Sequence, residues 1–447
     1  MERYDVFVAG AGASGVCAAI AAAREGRRVL LVEQSGLLGG TNTQSLVCPL
    51  MGFHAGGRQV VRGLAQEIVD RLQRRGGSLG HIPDPLGVTA TITPIEPEIL
   101  KQVYFDMLRE EKNITLLLHT LVTGAAREKG RIAQVTAMHR CEEMTLSASV
   151  YIDATGDGDL ACAAGAKSVF GRLSDGFAQP MTLVMRVGGV DLKKVRAFMR
   201  AHPEQFILCK GADAIPYVAV SGYFDAVARA RERGELTIPR DRVLFFQGVR
   251  ENEVIVNMSR VVMRRGTDAR ELTLAEGEGR AQVDEILSFL QKEIDGFQSA
   301  CLLETGAAIG VRESRHIQGR YTLTEHDILV CAEFEDSVAM CAFPIDIHDP
   351  LGKELHWIKS DTSNCYDIPY RVMLPERVGN LLVTGRCISA THEASASVRI
   401  TPTAMALGEA AGIAAALAED GDPSAVDTQV LRRRIREKGG VTGRRDL

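Results

Sequence analysis

No C-x-x-C pair occurs in this chain, although ten cysteines stand at 17, 48, 141, 162, 209, 301, 331, 341, 365 and 387. Zinc ribbons, iron–sulfur clusters and dithiol redox centres need closer spacing, so no metal site is expected. The thiols are expected to be reduced, many of them packed as small hydrophobes. An excess of positive charge is also missing. The formal net charge is −5, which leaves no broad basic surface for phosphate backbones, so nucleic acid is not an expected partner. Apolar runs of membrane-spanning length are lacking as well. The most apolar helical stretches, Ala9 to Ala23 and Ala404 to Leu417, fall short of a bilayer span, and the second carries Glu409. The first strand begins by residue 4, leaving no room for a charged region, an apolar region and a cleavage site. No membrane partner and a cytoplasmic location are therefore expected.

What the chain does have is glycine in one telling place. Gly10-Ala11-Gly12-Ala13-Ser14-Gly15 follows the apolar run Tyr4 to Ala9 and precedes Val29-Leu30-Leu31-Val32, which ends in Glu33. A bare GxGxxG is weak among 44 glycines, but strand, turn, helix and second strand in this order make it a dinucleotide site. Gly10 permits the tight turn, Gly12 lets the backbone approach a pyrophosphate, and Gly15 lets the helix pack closely on the sheet. The pyrophosphate would rest on N–H groups at the helix start, around Ala13 and Ser14. Ser14 to Glu25 is alanine-rich and helix-favouring, and Gly26 stands where a C-terminal cap belongs. Glu33, with Gln34 beside it, lies 18 residues beyond Gly15, near the spacing at which an acid accepts ribose hydroxyls. That acid argues against a 2′-phosphate and so against NADP.

Further along, Gly36 to Gly40 forms a second glycine-rich loop, and helices are predicted over Gln59 to Arg75 and Glu96 to Glu111. Ile114 to Leu118, Val122 to Arg127, Arg131 to His139 and Met144 to Ile152 read as a strand followed by a small antiparallel meander. The last runs into Asp153-Ala154-Thr155-Gly156-Asp157-Gly158-Asp159. From about 166 to 371 mixed strands and helices follow without a further dinucleotide pattern. They include an amphipathic helix from about Leu272 to Ile294 and strand-like segments at Arg320 to Leu323 and Val338 to Ile347. Asn380 to Gly385 then reads as a buried strand, Pro402 to Ala418 as a helix with a first-turn proline, and Arg432 to Arg445 as a solvated, fraying terminal helix.

A late strand and helix of this kind return the chain to the dinucleotide domain. The chain resembles the FAD-dependent oxidoreductases of the class that includes fumarate reductase and aspartate oxidase. More narrowly, it is similar to the soluble family labelled FAD-dependent oxidoreductase. The carrying stretches are Val8 to Gly15, Leu38-Gly39-Gly40-Thr41, Ile152 to Asp159, Gly310 to Ile317, Pro344 to His348 and Gly385 to Glu393. The resemblance implies an α/β fold: a Rossmann-like FAD domain with a parallel sheet and β-meander, assembled from 1–165 and 372–447. A mixed α+β substrate or cap domain would occupy 166–371. It places Gly39, Gly40 and Thr41 beside the flavin, Val122 near the adenine, and Ala154, Thr155 and Gly156 at a second FAD contact. Gly385 and Arg386 would close the site, with Arg386 on the substrate, the reduced flavin or the pyrophosphate. The helix starting near Thr401, with Ala404 in its first turn, would turn its positive end to the flavin or simply pack closely through its small residues. No His directly precedes Gly39-Gly40, where membrane fumarate reductases attach the flavin, so non-covalent FAD is expected.

The remaining polar residues should hold a small-molecule substrate. Arg312 and Arg315 flank Glu313, an arrangement that suits a carboxylate or polyol, or else an internal ion pair. His348 is a candidate proton carrier or a strand-end residue. His392 is the favoured acid/base, with a supporting role as the alternative, and Arg399 would stabilise developing negative charge. Tyr366, Tyr370 and Trp357 line the pocket or the core. The expected function is hydride transfer between a small polar metabolite and flavin N5, with an electron acceptor the sequence does not identify. An NAD-dependent dehydrogenase and a non-catalytic scaffold with an FAD-type fold are the alternatives. Enzymes of this size are often homo-oligomers.

Overall fold

The computed structural model describes residues 3–351, 355–358 and 361–447, with the side chains of Arg3 and of 355–358, Trp357 among them, outside the description. The fingerprint region folds as strand, helix, strand: β1 (Arg3–Ala9), α1 (Ala13–Arg24) and β2 (Val29–Val32). Next come α2 (Leu64–Arg74) and α3 (Pro97–Glu110), then β3 (Ile114–Leu117), β4 (Leu121–Glu128), β5 (Arg131–His139) and β6 (Glu142–Asp153). These six strands form one sheet in the order β3-β2-β1-β6-β5-β4. Strand β6 serves two pairings. Its first half runs antiparallel to β5, from Glu142 to Leu146, and its second half runs parallel to β1, ending with Ala9 opposite Asp153. The central parallel strands are apolar over Val6 to Ala9 and Val29 to Val32, where both their faces are covered.

The middle of the chain builds a second layer. Strands β7 (Met185–Gly188), β8 (Ala219–Gly222), β9 (Val243–Gln247) and β10 (Val254–Val256), helix α4 (Ala269–Glu293) and strand β11 (Cys301–Thr305) follow in chain order. The strands form an antiparallel sheet, β8-β9-β10-β7-β11. Helix α4 is started by Asp268, whose carboxylate accepts from the Arg270 and Glu271 N–H groups. It buries Ala275, Val283, Ile286 and Leu290 in the same apolar cluster as this sheet.

After it come β12 (Ser337–Cys341), β13 (Ile345–His348), β14 (Tyr366–Pro369), β15 (Leu381–Val383), α5 (His392–Val398), α6 (Thr401–Leu417) and α7 (Thr428–Glu437). Strand β15 joins the first sheet, parallel to β6, with Val383 opposite Asp153. Helix α6 lies against α1, and two glycines set how close they come. A Cβ on Gly408 would stand 2.1 Å from the Ser14 carbonyl oxygen, and one on Gly412 2.2 Å from that of Ala18. Helices α5 and α6 bend by 91° at Arg399-Ile400. No single helix among the described residues is long and apolar enough to cross a membrane.

Three expectations change. The strand expected over Val338 to Ile347 splits into β12 and β13, since Pro344 cannot donate to a ladder. Arg320 to Leu323 forms no strand beyond a single bridge from Leu323 to Ala390. The basic tail is not a solvated helix. Leu431 and Ile435 are buried, and the buried Arg432 donates to the Glu335 carbonyl at 2.6 Å and to Thr442 Oγ1 at 3.2 Å.

Candidate active site

The strand ends β1, β2, β6 and β15 bring the glycine-rich segments to one edge of the sheet. Gly10 and Gly15 are packed solid: a Cβ on Gly10 would lie 2.6 Å from the Ala154 carbonyl oxygen, and one on Gly15 1.9 Å from that of Gly10. Gly12 differs. A Cβ there would meet nothing nearer than the Gly40 Cα at 3.9 Å, so the Gly12 and Gly40 backbones flank a gap. The first turn of α1, Ala13 to Gly15, has no preceding helical carbonyls for its N–H groups, and Gly12 supplies no side-chain cap. Glu33 is buried beneath this turn. One of its carboxylate oxygens accepts the Ala11 N–H at 2.7 Å and the other accepts from Ser35 N and Oγ at 2.9 and 2.8 Å. An ionised carboxylate has about four acceptor sites, so capacity remains for ribose hydroxyls. Gln34 and Thr41 are exposed. The half-buried Val122 comes alongside, since the Thr120 N–H donates to the Glu33 carbonyl at 2.9 Å. In the glycine loop, Asn42 Oδ1 is buried without a donor.

The Ala154-Thr155-Gly156 turn is fixed by fully buried Asp153, which accepts from Thr155 N, Thr155 Oγ1 and Ala161 N at 2.7–2.9 Å. Thr155 Oγ1 also accepts the Asp159 N–H at 2.9 Å, so its hydroxyl is committed to the turn. Gly385 lies over the start of α1, where Ser14 Oγ and Thr384 Oγ1 share a hydrogen bond of 2.7 Å. Arg386 donates to Asp157 Oδ1 at 2.7 Å and to the Val311 carbonyl at 2.9 Å, tying the acidic turn to the loop that carries Glu313. Thr401 and Ala404 stay partly accessible in the first turn of α6, which has no side-chain cap.

Glu313 is the hub of the polar cluster. Its side chain is fully buried and accepts from His392 Nδ1 at 2.9 Å, His316 Nε2 at 3.0 Å and the Gln179 N–H at 2.9 Å. Burial works to raise its carboxyl, but the hydrogen bonds from His316 and His392 outweigh burial and hold it at about 2. A carboxylate only accepts, so His392 Nδ1 carries the hydrogen. Its Nε2 is buried without a partner. The α5 N-cap Thr391 accepts the Ala394 N–H and so fixes the backbone of the turn that carries the ring.

Arg312 and Arg315 do not act as one fork, and neither bonds Glu313. Arg312 donates to the Pro180 carbonyl at 2.6 Å and Thr182 Oγ1 at 2.5 Å, while Arg315 reaches Asp159 at 2.7 Å. Burial, then Asp157 and Asp153, raise the Asp159 carboxyl to about 6 despite that partner. His348 is enclosed rather than at an exposed strand end. Nε2 donates to Asp346 at 3.1 Å and Nδ1 accepts from Arg260 at 2.9 Å. Burial lowers the imidazole to about 3, so at neutral pH its one proton is committed to Asp346. Arg399 donates to Gln179 Oε1 at 3.4 Å and to the Asp346 carbonyl at 3.5 Å and lies 4.0 Å from the Asp346 carboxylate, with Nε unpartnered among the described residues. Gln179, Arg260, Arg240 and Asp346 were not legible as site residues. They stand far apart in sequence, and only Asp346, within Pro344 to His348, belongs to a local motif.

All ten cysteines are unpaired, and burial pushes the thiols of Cys17, Cys48, Cys341 and Cys387 up. Tyr366 and Tyr370 are core residues, donating or sharing hydrogen bonds with Ser397 and the Pro423 carbonyl. No group of three or more His, Cys, Asp or Glu side chains among the described residues is placed to hold a metal ion.

A family profile described as FAD dependent oxidoreductase matches residues 5–435. No functionally curated protein matches the chain. Among solved structures it is similar to a geranylgeranyl bacteriochlorophyll reductase-like protein from Thermoplasma acidophilum. That pair shares 14% identity over 98% of this chain and 84% of the other, with a TM-score of 0.52. It is also similar to p-nitrophenol 4-monooxygenase from Pseudomonas putida, at 10% identity over 98% and 81% of the two chains, with a TM-score of 0.48. At such identities the likeness bears on the fold alone.

Proposed function

Because this chain belongs to the FAD-dependent oxidoreductase family and FAD is its cofactor, we propose that it moves a hydride between a carbon of a small polar metabolite and flavin N5. The NAD-dependent alternative falls with that family assignment. FAD, when bound, supplies the two-electron chemistry. In this reading Gly12, Ala13, Ser14 and Gly15 hold the pyrophosphate with Arg386 nearby, Glu33 holds the ribose, and Val122 lines the adenine. Gly39, Gly40, Thr41 and the Ala154 to Gly156 turn border the rest, and the uncapped start of α6 at Thr401 faces the flavin with its positive end. The gap beside Gly12 and the unpartnered Asn42 Oδ1 support non-covalent seating.

The observation that carries the reading is His392. Its Nδ1 is fixed on a buried carboxylate and its Nε2 is buried, partnerless and close in sequence to the α6 start. That ring takes a proton at Nε2 when a substrate hydroxyl or amine is oxidised and returns it in the reverse direction, while Glu313 stabilises the resulting imidazolium. Arg399 stabilises negative charge that develops on the substrate.

The test is anaerobic mixing of FAD-loaded protein with a panel of small hydroxy acids, amino acids and polyols, following loss of the oxidised flavin's visible band. His392→Ala and Arg399→Ala are expected to keep their FAD and to bleach roughly 10²–10⁴-fold more slowly. A protein that takes up no FAD, or variants that bleach at the wild-type rate, overturns the reading. A holoprotein reduced by none of the panel favours the scaffold.

A further inference from the structure

Beside His392 the fold buries more positive charge than it neutralises, and this bears on the substrate that the reading above places there. Arg240, just ahead of β9, is 8% exposed, yet its Nε and Nη1 have no hydrogen-bond partner. Arg260, 5% exposed, gives one Nη to His348. Arg312 and Arg399 complete the group, with Arg399 Nε unpartnered. These guanidinium groups are electrostatic neighbours, since burial and then Arg399, Arg260 and Arg240 pull Arg312 down from its ordinary range. Asp346 is the inward carboxylate common to all four. Three other acids face the group: Asp241 acts on Arg240 and Arg260 but closes on Arg242 at 2.7 Å, Asp349 acts on Arg260, and Glu313, which acts on Arg399, is taken by two imidazoles.

Gln179 connects this charge to the proton-carrying side. Its N–H donates to Glu313, and its Oε1 accepts from Arg399 and from the His348 N–H, both at 3.4 Å. Its Nε2, in a residue 1% exposed, is left without an acceptor. Arg240 Nε and Nη1, Arg399 Nε and Gln179 Nε2 are all donors. Their complement is a group that only accepts, and guanidinium geometry suits carboxylate or phosphate oxygens. A structural role would leave these donors unsatisfied and the charge uncompensated, which is costly in a protein interior.

We propose that Arg240, Arg260, Arg312 and Arg399, with Gln179, form an anion subsite beside His392, and that the substrate is an acidic metabolite carrying more than one negative charge on carboxylate or phosphate oxygens. Arg240 is the specificity-determining member because its Nε and Nη1 have no hydrogen-bond partner among the described residues. Neutral polyols are excluded, since they cannot compensate the buried charge.

FAD-loaded protein is titrated with malonate, inorganic phosphate and uncharged malonamide at matched ionic strength, reading the flavin absorbance change and thermal unfolding. Wild type is expected to respond to malonate or phosphate and to ignore malonamide, the stronger of the two distinguishing carboxylate from phosphate. Arg240→Met and Arg240→Gln are expected to keep their FAD, bind the preferred anion at least tenfold more weakly, and unfold at higher temperature in its absence. A wild type that treats both anions like malonamide overturns the proposal, and so do variants that bind like wild type or unfold at lower temperature. A protein that binds these anions through Arg240 yet is reduced by no metabolite counts against the redox reading and leaves the subsite standing.

Discussion

Single glycines separate binding from packing at the fingerprint. Gly12 has φ −63° and ψ 177°, a conformation open to any residue, and its Cα faces the gap. Gly12→Val is therefore expected to fold with an apo-protein melting temperature close to wild type but to lose most FAD affinity, measured by flavin fluorescence on titration. Gly15→Val is expected to yield no folded protein, because a Cβ 1.9 Å from a backbone oxygen has nowhere to move. Glu313→Gln keeps the shape of the hub and removes its charge. The imidazolium of His392 then loses its partner, so anaerobic flavin reduction is expected to slow by roughly tenfold or more, with KM little changed. Reduction at the wild-type rate would assign Glu313 to packing alone. At this scale Gly10 to Gly15, Glu33, His392 and Arg399 could be singled out because each stands in or beside a local pattern. Arg240 and Gln179 could not, because the charge balance that marks them exists only after residues from separate segments meet.

The contact between α1 and α6 is the element on which the sheet edge depends. Gly408→Val is expected to destabilise by roughly 3 kcal/mol or more by urea unfolding, since overpacking against backbone cannot relax through a side chain. Midway along α6, Glu409 reaches across to α2 and accepts the Leu64 N–H at 3.0 Å, capping a helix that Gly63 leaves uncapped. Burial raises its carboxyl from 4.5 to about 7. The folded state thus holds a proton that the unfolded state has released between these values, and stability from this group falls as pH rises through the window. The loss is roughly 3.5 kcal/mol at most, at about 1.4 kcal/mol per unit. Glu409→Gln retains an acceptor for Leu64 and is expected to flatten the dependence of melting temperature on pH between about 5 and 7, and an unchanged slope would place the titration elsewhere. Periodicity located α6 and the meander closely. It failed at Arg320 to Leu323 and along the tail, where tertiary pairing and the burial of Leu431 and Ile435 decide the conformation.

Across the whole molecule, the two largest of four apolar clusters are distinct, one between the parallel sheet, α1 and α6, the other around the antiparallel sheet and α4. The parallel sheet carries the glycine-rich edge. FAD is therefore expected to slow amide hydrogen exchange in 10–16, 39–44, 154–161 and 385–404 while leaving β7 and β9 unchanged, and to raise the melting temperature with ligand concentration. Uniform protection across both cores would contradict this. The FAD-type fold was readable because its fingerprint lies within the first 33 residues, whereas the layout of the middle third rests on long-range antiparallel pairings that leave only short, ambiguous apolar runs in sequence. The hydrogen bond between Ser14 and Thr384, and the seating of Gly408 and Gly412 on α1, join residues about 370 to 395 positions apart. During synthesis, α1 therefore emerges from the ribosome long before the helix that covers it. Its alanine face and the nucleotide edge wait unpaired until α6 has been made, so cofactor capture follows the synthesis of that helix, and the uncovered α1 face is open to misassociation in the meantime.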